Sequence, residues 1–177
     1  IKSGSGEWSD RLKVGLEKIR SKHIFYLQED VWLQKKVDFD LFLNLYEIVV
    51  KHNINALRIV NKTDPKYYKL NNTSLFNGKI FKFKNKSPYL VSHQPSIINK
   101  DFLIKTLISN ESPWDNEING TNRLHNERIK KNKWGLFKYS GIPNHKIYLY
   151  VIDNWYSAIV RKGGFTKEGE KLIKNIN

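Results

Sequence analysis

The sequence contains no cysteine, so the chain can form neither a disulfide nor a thiolate metal site. Any metal ion that it binds must be held by oxygen or imidazole ligands. No run of about 18 apolar residues occurs, and the N-terminus lacks the residue order of a signal peptide. We therefore expect a cytoplasmic protein, with the inner membrane surface as the alternative location.

Methionine is also missing, including at position 1, so we expect further sequence to precede Ile1. Nor does the chain contain a nucleophile elbow, a His-Glu-x-x-His motif, an EF-hand loop or a Walker A sequence. These absences argue against the common hydrolases and the P-loop nucleotidases. The remaining evidence comes from charge, periodicity and a few polar clusters.

Positive charge is what the sequence has in excess. Lys and Arg number 31 against 17 Asp and Glu, which gives a formal net charge of +14. Such a charge attracts nucleic acid, anionic lipid and phosphorylated ligands. The alternative is that abundant Asn, Lys and Ile reflect an AT-rich coding sequence, so that part of the basicity is a codon bias. A hydrophobic content of 40% and a length of 177 residues predict one folded domain.

The first 60 residues alternate between helix and strand patterns. Ser9 is expected to cap a helix that carries apolar residues at helical spacing. An apolar run at 23–27 predicts a buried strand. Asp38 or Asp40 opens a second predicted helix, and a strand follows at 56–60. Helix, strand, helix and strand with short connections predict a parallel sheet covered by helices.

Beyond residue 60 the predicted elements are shorter. Residues 61–74 are polar and predict a loop, whereas alternation at 79–84 predicts an exposed strand at the edge of the sheet. The chain is expected to run extended up to Pro95, after which Asn99 caps a helix. Further predicted elements are a helix that begins at Ser112, strands at 134–139, 147–152 and 156–160, and a terminal helix capped by Thr166.

Two polar clusters follow predicted strands. Glu29 and Asp30 come after the buried strand, and ligands of open α/β sheets bind beyond the carboxyl ends of strands. Carboxylates placed there can hold a divalent cation against a diphosphate. His93 and Gln94 join a strand to a capped helix, where they can bind ligand hydroxyl groups. The alternatives are a solvated loop for the acid pair and a structural role for His93.

Two further clusters begin predicted helices. Trp114 can stack on a sugar ring, and Glu117 can accept a proton from a hydroxyl group. The alternative is an ordinary capping box that includes Asp115, with a core Trp and a surface acid. Arg161 and Lys162 precede two glycines and a predicted helix N-terminus, an arrangement that suits phosphate binding.

Taken in order, five segments resemble small glycosyltransferases of the GT-A type, related to the family 2-like transferases of surface-polysaccharide synthesis. They are a Trp-Ser-Asp-Arg-Leu stretch, a strand ending in an acid pair, a Gln-Pro segment before a helix, a Ser-x-Trp-x-x-Glu segment and a closing basic, Gly-containing turn. These segments occupy residues 8–12, 24–32, 92–103, 112–117 and 157–166. The resemblance covers most of the chain and implies an α/β, GT-A-like fold. Its mixed, mainly parallel sheet is flanked by helices and has an edge β-hairpin region.

On the acceptor side, the resemblance implies transfer of a sugar from a nucleoside diphosphate to an acceptor hydroxyl, with inversion. Glu117 is implied as the general base, with Asp115 beside it as a second catalytic residue. Trp114, His93 and Gln94 are implied to contact the sugar or the acceptor. The acceptor itself is expected to be a glycan or a lipid-linked molecule, which suits peripheral membrane contact.

On the donor side, Asp30, aided by Glu29, is implied to hold a divalent metal, Mn²⁺ or Mg²⁺, against the diphosphate of a nucleoside-diphosphate sugar. Arg161 and Lys162 are implied to bind the same diphosphate. No nucleic acid is expected as a partner under this interpretation.

The chain departs from the family pattern in three ways. Gln28 stands where a fuller Asp-x-Asp motif has its first acid, which bears on metal dependence. Asn116 replaces an aromatic residue and Ile98 replaces a Trp, which bears on the acceptor pocket. About one nucleotide-binding βαβ unit is missing before Ile1. One interpretation is that this unit lies upstream, so that 1–177 is the C-terminal part of a longer domain. The other is that the chain is a reduced domain without a donor site. The missing Met favours the first interpretation.

Two other functions stay open at the level of sequence. The net charge of +14, with Trp134 and Tyr139 near the basic run at 130–133, is typical of a nucleic-acid-binding module. The other is a non-catalytic domain that docks on an anionic membrane surface.

Overall fold

The computed structural model describes residues 6–28, 38–59, 70–84, 86–128, 136–139, 160–161 and 164–165. Within these ranges the helices are α1 (Trp8–Glu17), α2 (Phe39–Lys51), α3 (Lys100–Thr106) and α4 (Pro113–Arg128). The strands are β1 (His23–Tyr26), β2 (Ala56–Ile59), β3 (Leu70–Asn72), β4 (Ile80–Phe83), β5 (Ser96–Asn99), β6 (Leu136–Tyr139), β7 (Val160–Arg161) and β8 (Gly164–Phe165). The described part of the chain is a mixed α/β fold.

Six strands form one sheet in the order β1-β5-β2-β6-β4-β3, while β7 pairs with β8. Of the five pairings in the larger sheet, β2–β6 is parallel and the other four are antiparallel. The prediction of a mainly parallel sheet is therefore wrong for the described strands. The reason is the position of β5, which runs antiparallel between β1 and β2, so that Ile98 pairs with both Ile24 and Ala56. β1 and β2 run in the same direction, as predicted, but they are not neighbours.

The β3–β4 pair forms one edge of the sheet, with Leu70 opposite Phe83. The predicted strand at 79–84 corresponds to β4, and with β3 it forms the expected hairpin region at the edge. The prediction that this strand is exposed at the edge is wrong, because β3 lies outside it and Ile80 and Phe83 are buried. The prediction of a loop over 61–74 is wrong at 70–72, where β3 forms. Asn is depleted in strands, so the two Asn residues of this three-residue strand hide it from sequence patterns.

Helices cover both faces of the sheet. Successive residues of a strand point to opposite faces, so each buried strand contributes side chains to both cores. Leu57 of β2 and Ile97 of β5 lie beneath α2, where they pack with Leu45. Their strand neighbours Ala56 and Ile98 belong to the opposite core, which α1, α3 and α4 cover. The described elements therefore form three layers, with the sheet in the middle.

Three of the four helices begin where the sequence predicted. Asp38 and Asn99 each accept a hydrogen bond from the backbone N–H three residues ahead, at 3.1 and 3.0 Å. Ser112 precedes α4 and bonds within its first turn. The prediction that Ser9 caps the first helix is wrong, because Glu7 is the capping position and Ser9 is a buried residue inside α1.

Several predicted elements lie outside the described residues, namely the strand at 147–152, most of the strand at 156–160 and the terminal helix capped by Thr166. Part of the predicted strand at 134–139 is seen as β6. In the described ranges, no helix is both long enough and apolar enough to cross a lipid bilayer.

Candidate functional site

Residues 92–95 lie at the end of the sheet where β1 and β2 reach their carboxyl ends. β5 begins at Ser96, which pairs with Tyr26, the last residue of β1. Ile59, the last residue of β2, donates its backbone N–H to the Pro95 carbonyl at 2.8 Å. The segment therefore sits beyond the carboxyl ends of two strands that run in the same direction, and it leads into β5 between them.

Helix α4 holds the chain that leads into this segment. Three side chains spaced at successive turns of α4 bond to the stretch 87–93, which runs alongside the helix. The prediction that the chain is extended up to Pro95 is wrong here, because Tyr89 has a left-handed backbone with a φ of 51°, and β5 begins only at Ser96. Gly120 faces the same stretch, and a Cβ atom at this glycine would lie 3.0 Å from Cγ2 of Val91. The three contacts are Glu117 Oε1 with His93 N at 2.8 Å, Thr121 Oγ1 with Val91 N at 3.1 Å, and His125 Nε2 with Ser87 O at 3.1 Å.

Arg58 of β2 supports the same stretch from the sheet side and is 3% exposed. Its Nη2 atom donates to the carbonyl oxygens of Tyr89 and Leu90, the second at 2.7 Å. Its guanidinium carbon lies 4.5 Å from the centre of the Phe83 ring, which is a cation–π geometry. Sequence reasoning missed Arg58, because one charged residue in an apolar strand usually predicts an exposed position.

His93 lies at the centre of the site and is 2% exposed. Its Nε2 atom is 3.1 Å from Oδ1 of Asn116, and its ring stands edge-on to Trp8 and Tyr26, with centroids 4.4 and 5.8 Å away. Glu117 adds the bond to the His93 backbone. Four of the five segments that carry the resemblance, 8–12, 24–32, 92–103 and 112–117, thus contribute residues to the surroundings of one histidine.

The surroundings of His93 keep its ring neutral at pH 7. Burial, with a smaller contribution from the Arg58 charge, lowers the pKa of His93 to about 4. The hydrogen bond with Asn116 and the charge of Glu111 act in the opposite direction without cancelling the effect. Among the described residues, neither Nδ1 of His93 nor the buried Oε1 of Gln94 has a hydrogen-bond partner.

Glu117 is half-buried in the second turn of α4. Its Oε1 atom accepts the hydrogen bond from His93 N, and the described residues provide neither a second hydrogen bond nor an ion pair for this carboxylate. The carboxylate is therefore held from one side and is not committed to a structural ion pair within that part of the chain.

Asp115 and Trp114 occupy the first turn of α4. Ser112 donates from its hydroxyl and its backbone N–H to the Asp115 carboxylate, and Asp115 N donates to Ser112 Oγ at 3.2 Å. The capping-box alternative is thus right for Asp115, and its catalytic role stays a prediction. Trp114 is 74% exposed, so the alternative of a core Trp is wrong and the ring is accessible to a ligand.

A buried ionic cluster that the sequence did not predict lies next to Asn116. Glu111 accepts hydrogen bonds from Arg123 at 2.7 and 2.9 Å and from Asn116 Nδ2 at 2.7 Å. Its backbone N–H donates to Ser9 Oγ at 3.0 Å, which ties α1 to the start of α4. Burial raises the pKa of Glu111, but the hydrogen bonds from Arg123 and Asn116 outweigh it and lower the pKa below its usual value. Helical sequence patterns do not predict this pairing, because Glu111 precedes α4 and Arg123 lies on α4 outside the i, i+3 and i, i+4 spacings of helical ion pairs.

The donor side of the predicted site lies largely outside the described residues. Glu29, Asp30 and Lys162 are not among them, and for Arg161 the structure describes the backbone in β7 and not the side chain. In the ranges that the structure describes, no group of three or more His, Asp or Glu side chains is close enough to hold a metal ion. The diphosphate and metal contacts therefore stay predictions.

Comparison with known proteins gives no match to a protein-family model, to a curated protein or to a solved structure. The function of the site must therefore be argued from its own geometry. That geometry is a half-buried carboxylate beside a neutral, buried histidine and an exposed Trp, at the carboxyl ends of β1 and β2.

Proposed function

We propose that the chain is a glycosyltransferase, which moves a sugar from a nucleoside-diphosphate donor to an acceptor hydroxyl with Glu117 as the general base. The observation that carries the proposal is the convergence of four sequence segments on His93, at the carboxyl ends of β1 and β2. Those segments are far apart in the sequence, and they are the same ones that carry the resemblance to GT-A-type enzymes.

The proposed reaction needs a base within hydrogen-bond reach of the acceptor hydroxyl. The Glu117 carboxylate takes the hydroxyl proton while the hydroxyl oxygen forms a bond to the anomeric carbon of the donor sugar. The bond between that carbon and the diphosphate oxygen breaks, and its electron pair leaves with the nucleoside diphosphate. Attack from the side opposite the leaving group inverts the configuration at the anomeric carbon. The hydrogen bond from His93 N to Oε1 orients the Glu117 carboxylate for this role.

The first turn of α4 supports the acceptor side of the proposed site. Asp115 closes the capping box with Ser112 and so fixes the turn that precedes Glu117. Trp114 lies three residues before Glu117, so helical geometry places the two side chains on neighbouring parts of the helix surface. An exposed indole ring there suits stacking against the apolar face of an acceptor sugar.

For the donor side, we keep Asp30, aided by Glu29, as the proposed contact to the diphosphate, with Arg161 and Lys162 as its cationic partners. When bound, Mn²⁺ or Mg²⁺ supplies charge neutralisation for the leaving diphosphate. Asp30 follows Tyr26 by four residues in the sequence, and Tyr26 ends β1 beside His93.

The first test is a thermal-shift screen of nucleoside diphosphates and nucleotide sugars, with and without Mn²⁺. A ligand that binds the native state alone raises the melting temperature, so this screen identifies the donor before any acceptor is known. In the transfer assay that follows, Glu117→Gln is expected to lower turnover by about 10²- to 10⁴-fold. The melting-temperature rise with the donor should be retained, because the amide keeps the shape of the side chain.

Glu47→Gln is the matched control for this substitution, because Glu47 is an exposed acid on α2. Its turnover should equal that of the unsubstituted protein. A Glu117→Gln protein with full turnover contradicts the assignment of the base, and a chain that no nucleotide sugar stabilises contradicts the proposed function as a whole.

A nucleic-acid-binding module is the second candidate, favoured by exposed basic side chains around α1. Retention on an immobilised nucleic acid that falls steeply with salt, without stabilisation by any nucleotide sugar, would support this candidate and not the first. The exposed cations in this region are Arg11, Lys13, Lys18, Arg20 and Lys22.

A further inference from the structure

Helix α2 has a second apolar face on the side turned away from the sheet. Four large apolar side chains of this helix are between 39% and 64% exposed. They follow one another at spacings of four, three and four residues, which places them on one stripe about 60° wide along the helix. A run of exposed apolar side chains of this kind marks an interaction surface, whereas single ones do not. The α2 stripe consists of Phe39, Leu43, Tyr46 and Val50.

The aromatic residues of the α2 stripe are held in place by neighbouring rings. Phe39 stacks on Phe42 with ring centroids 6.4 Å apart, and Phe42 stands edge-on to Phe25 of β1 at 5.2 Å. The Tyr46 ring stands edge-on to His23, also of β1, at 6.0 Å. Side chains that are already ordered lose little rotamer freedom on binding, so the stripe is preorganised for contact with a partner.

The spacing of the α2 stripe is the same in both directions along the helix. The outer residues, Phe39 and Val50, and the inner residues, Leu43 and Tyr46, are both centred between positions 44 and 45. In an antiparallel second copy of α2, related by a two-fold axis at that point, Phe39 faces Val50 and Leu43 faces Tyr46. The axis repeats both contacts. A patch that is complementary to itself in this way is what a two-fold interface requires.

The charges at the two ends of α2 suit the same arrangement. Asp40 in the first turn and Lys51 in the last turn are both exposed, and helical geometry places them on the same flank of the stripe. In the antiparallel pair, Asp40 of one copy comes within about 3 Å of Lys51 of the other along the helix axis, at 1.5 Å per residue. Among the described residues, neither side chain has an ion-pair partner within its own chain. A parallel pair would set each of these charges beside its own copy.

We infer that the α2 stripe is the interface of an antiparallel homodimer, in which a second copy of this chain covers the four apolar side chains. This inference goes beyond the proposed function and does not depend on it. Helix α2 and helix α4 cover opposite faces of the sheet, so the pairing leaves Glu117 and Trp114 uncovered.

The dimer is expected to be weak and reversible. Helix α2 has 13 residues and is about 20 Å long, and two faces of that length bury less than the roughly 1,200 Å² of a standard interface. Glu47 lies on the same flank, nearer the two-fold axis, where its two copies repel each other and offset part of the gain from the end pairs. Half of the protein should therefore be dimeric at a concentration of about 10–100 µM.

Sedimentation velocity from about 1 to 300 µM, on protein freed of nucleic acid, measures the self-association. The unsubstituted protein should change from monomer to dimer over this range. Leu43→Glu buries a charge on each side of the two-fold axis, so it should weaken the dimer by more than about 100-fold and stay monomeric. Val14→Glu on α1 is the matched control, because Val14 is as exposed as Tyr46 and lies outside the stripe; it should dimerise like the unsubstituted protein.

A charge exchange tests the antiparallel orientation. Asp40→Lys alone and Lys51→Asp alone each set like charges against one another at both ends of the interface. Each variant should dimerise about tenfold more weakly at low salt. An equimolar mixture of the two variants has opposite charges at both ends, so a heterodimer should form with the affinity of the unsubstituted protein.

A protein that stays monomeric at every concentration overturns the inference, and this result would also be seen if another segment of the same chain covered the stripe. A dimer that Leu43→Glu leaves intact overturns it as well, because the interface then lies elsewhere. A mixture of the charge variants that associates no better than its components rules out the antiparallel pairing. Stabilisation by a nucleotide sugar should be the same in Leu43→Glu and unsubstituted protein, so failure of the dimer leaves the proposed function standing.

Discussion

The face of the sheet beneath α2 is packed with aliphatic side chains, among them Leu45, Val49 and Ile97. The opposite face, beneath α1, α3 and α4, combines an apolar core with buried polar groups. A buried polar group destabilises a fold unless it has a hydrogen-bond partner. A face with many buried polar groups therefore stabilises the sheet less readily than an aliphatic face does. The buried polar side chains that accompany these three helices include Ser9, His93, Thr106, Glu111, Asn116 and Thr121.

This difference assigns the two faces different roles. The α2 face stabilises the sheet through apolar burial, while the polar face fixes the positions of His93 and Glu117 through hydrogen bonds. Substitutions beneath α2 should therefore change stability and leave ligand binding intact. Substitutions in the polar cluster should change both.

The largest effect is expected from Leu45→Ala, because Leu45 is 0% exposed in the core beneath α2. Removal of its side chain leaves a cavity and should lower the free energy of unfolding by about 3–4 kcal/mol. Leu43→Ala on the same helix is the matched control; Leu43 is 42% exposed, so the loss should be below about 1 kcal/mol. Urea unfolding measures both changes in the free energy of unfolding. Loss of ligand binding by a folded Leu45→Ala protein would contradict the different roles assigned to the two faces of the sheet.

Glu111→Ala should cost about 3 kcal/mol of unfolding free energy, because it leaves the Arg123 guanidinium and the Asn116 amide without their carboxylate partner. Arg123 is partly exposed, which places the effect at the low end for a broken buried pair. Unlike Leu45→Ala, this substitution should also weaken stabilisation by the nucleotide sugar, since Asn116 orients His93. Unchanged ligand stabilisation in a folded Glu111→Ala protein would remove the functional role given to the polar face.

The polar face should also make stability depend on pH. His93 has a pKa of about 4 in the folded protein and an ordinary value of 6.5. Between these values the unfolded state binds more protons, so the free energy of unfolding should fall by about 2 kcal/mol from about pH 7.5 to about pH 5. A His93→Asn variant should lose this dependence, whereas Leu45→Ala should keep it. The pKa of His23 is also lowered by burial, but its contribution is present in all three proteins and cancels in the comparison.

The sequence predicted those parts of the fold that depend on neighbours along the chain. Asp38, Asn99 and Ser112 begin helices because each side chain bonds to the turn that follows it, which is a local property. The order of the strands is not local. β5 enters between β1 and β2 through pairings with distant residues, so the alternation of helices and strands predicted the direction of β1 and β2 but not their separation.

The residues of the candidate site likewise divide into those that local sequence patterns predicted and those that they missed. The segments containing His93 and Glu117 were predicted from polar residues next to element ends, and the structure brings the two residues into contact. Arg58 and Glu111 were missed, because Arg58 bonds to Leu90 and Glu111 bonds to Ser9 of α1, and both partners are remote in the sequence. Ser9 was mistaken for a cap, since a Ser before an apolar periodicity has the same pattern whether it caps its own helix or bonds to Glu111.

The smallest expected effect tests how tightly the polar face is packed. Gly120→Ala should gain up to about 1 kcal/mol from helix propensity, but its Cβ would lie 3.0 Å from Val91 Cγ2, and overpacking costs about 1–3 kcal/mol. Val91 is buried and its backbone bonds to Thr121, so it cannot easily retreat, and a net loss of about 1 kcal/mol is expected. Gly15→Ala on α1 is the matched control, where the added Cβ meets nothing within 4 Å and should stabilise the protein by up to about 1 kcal/mol. If urea unfolding shows equal stabilisation by the two substitutions, the 87–93 stretch is not held against α4 as described, and the fixed position of His93 loses its support.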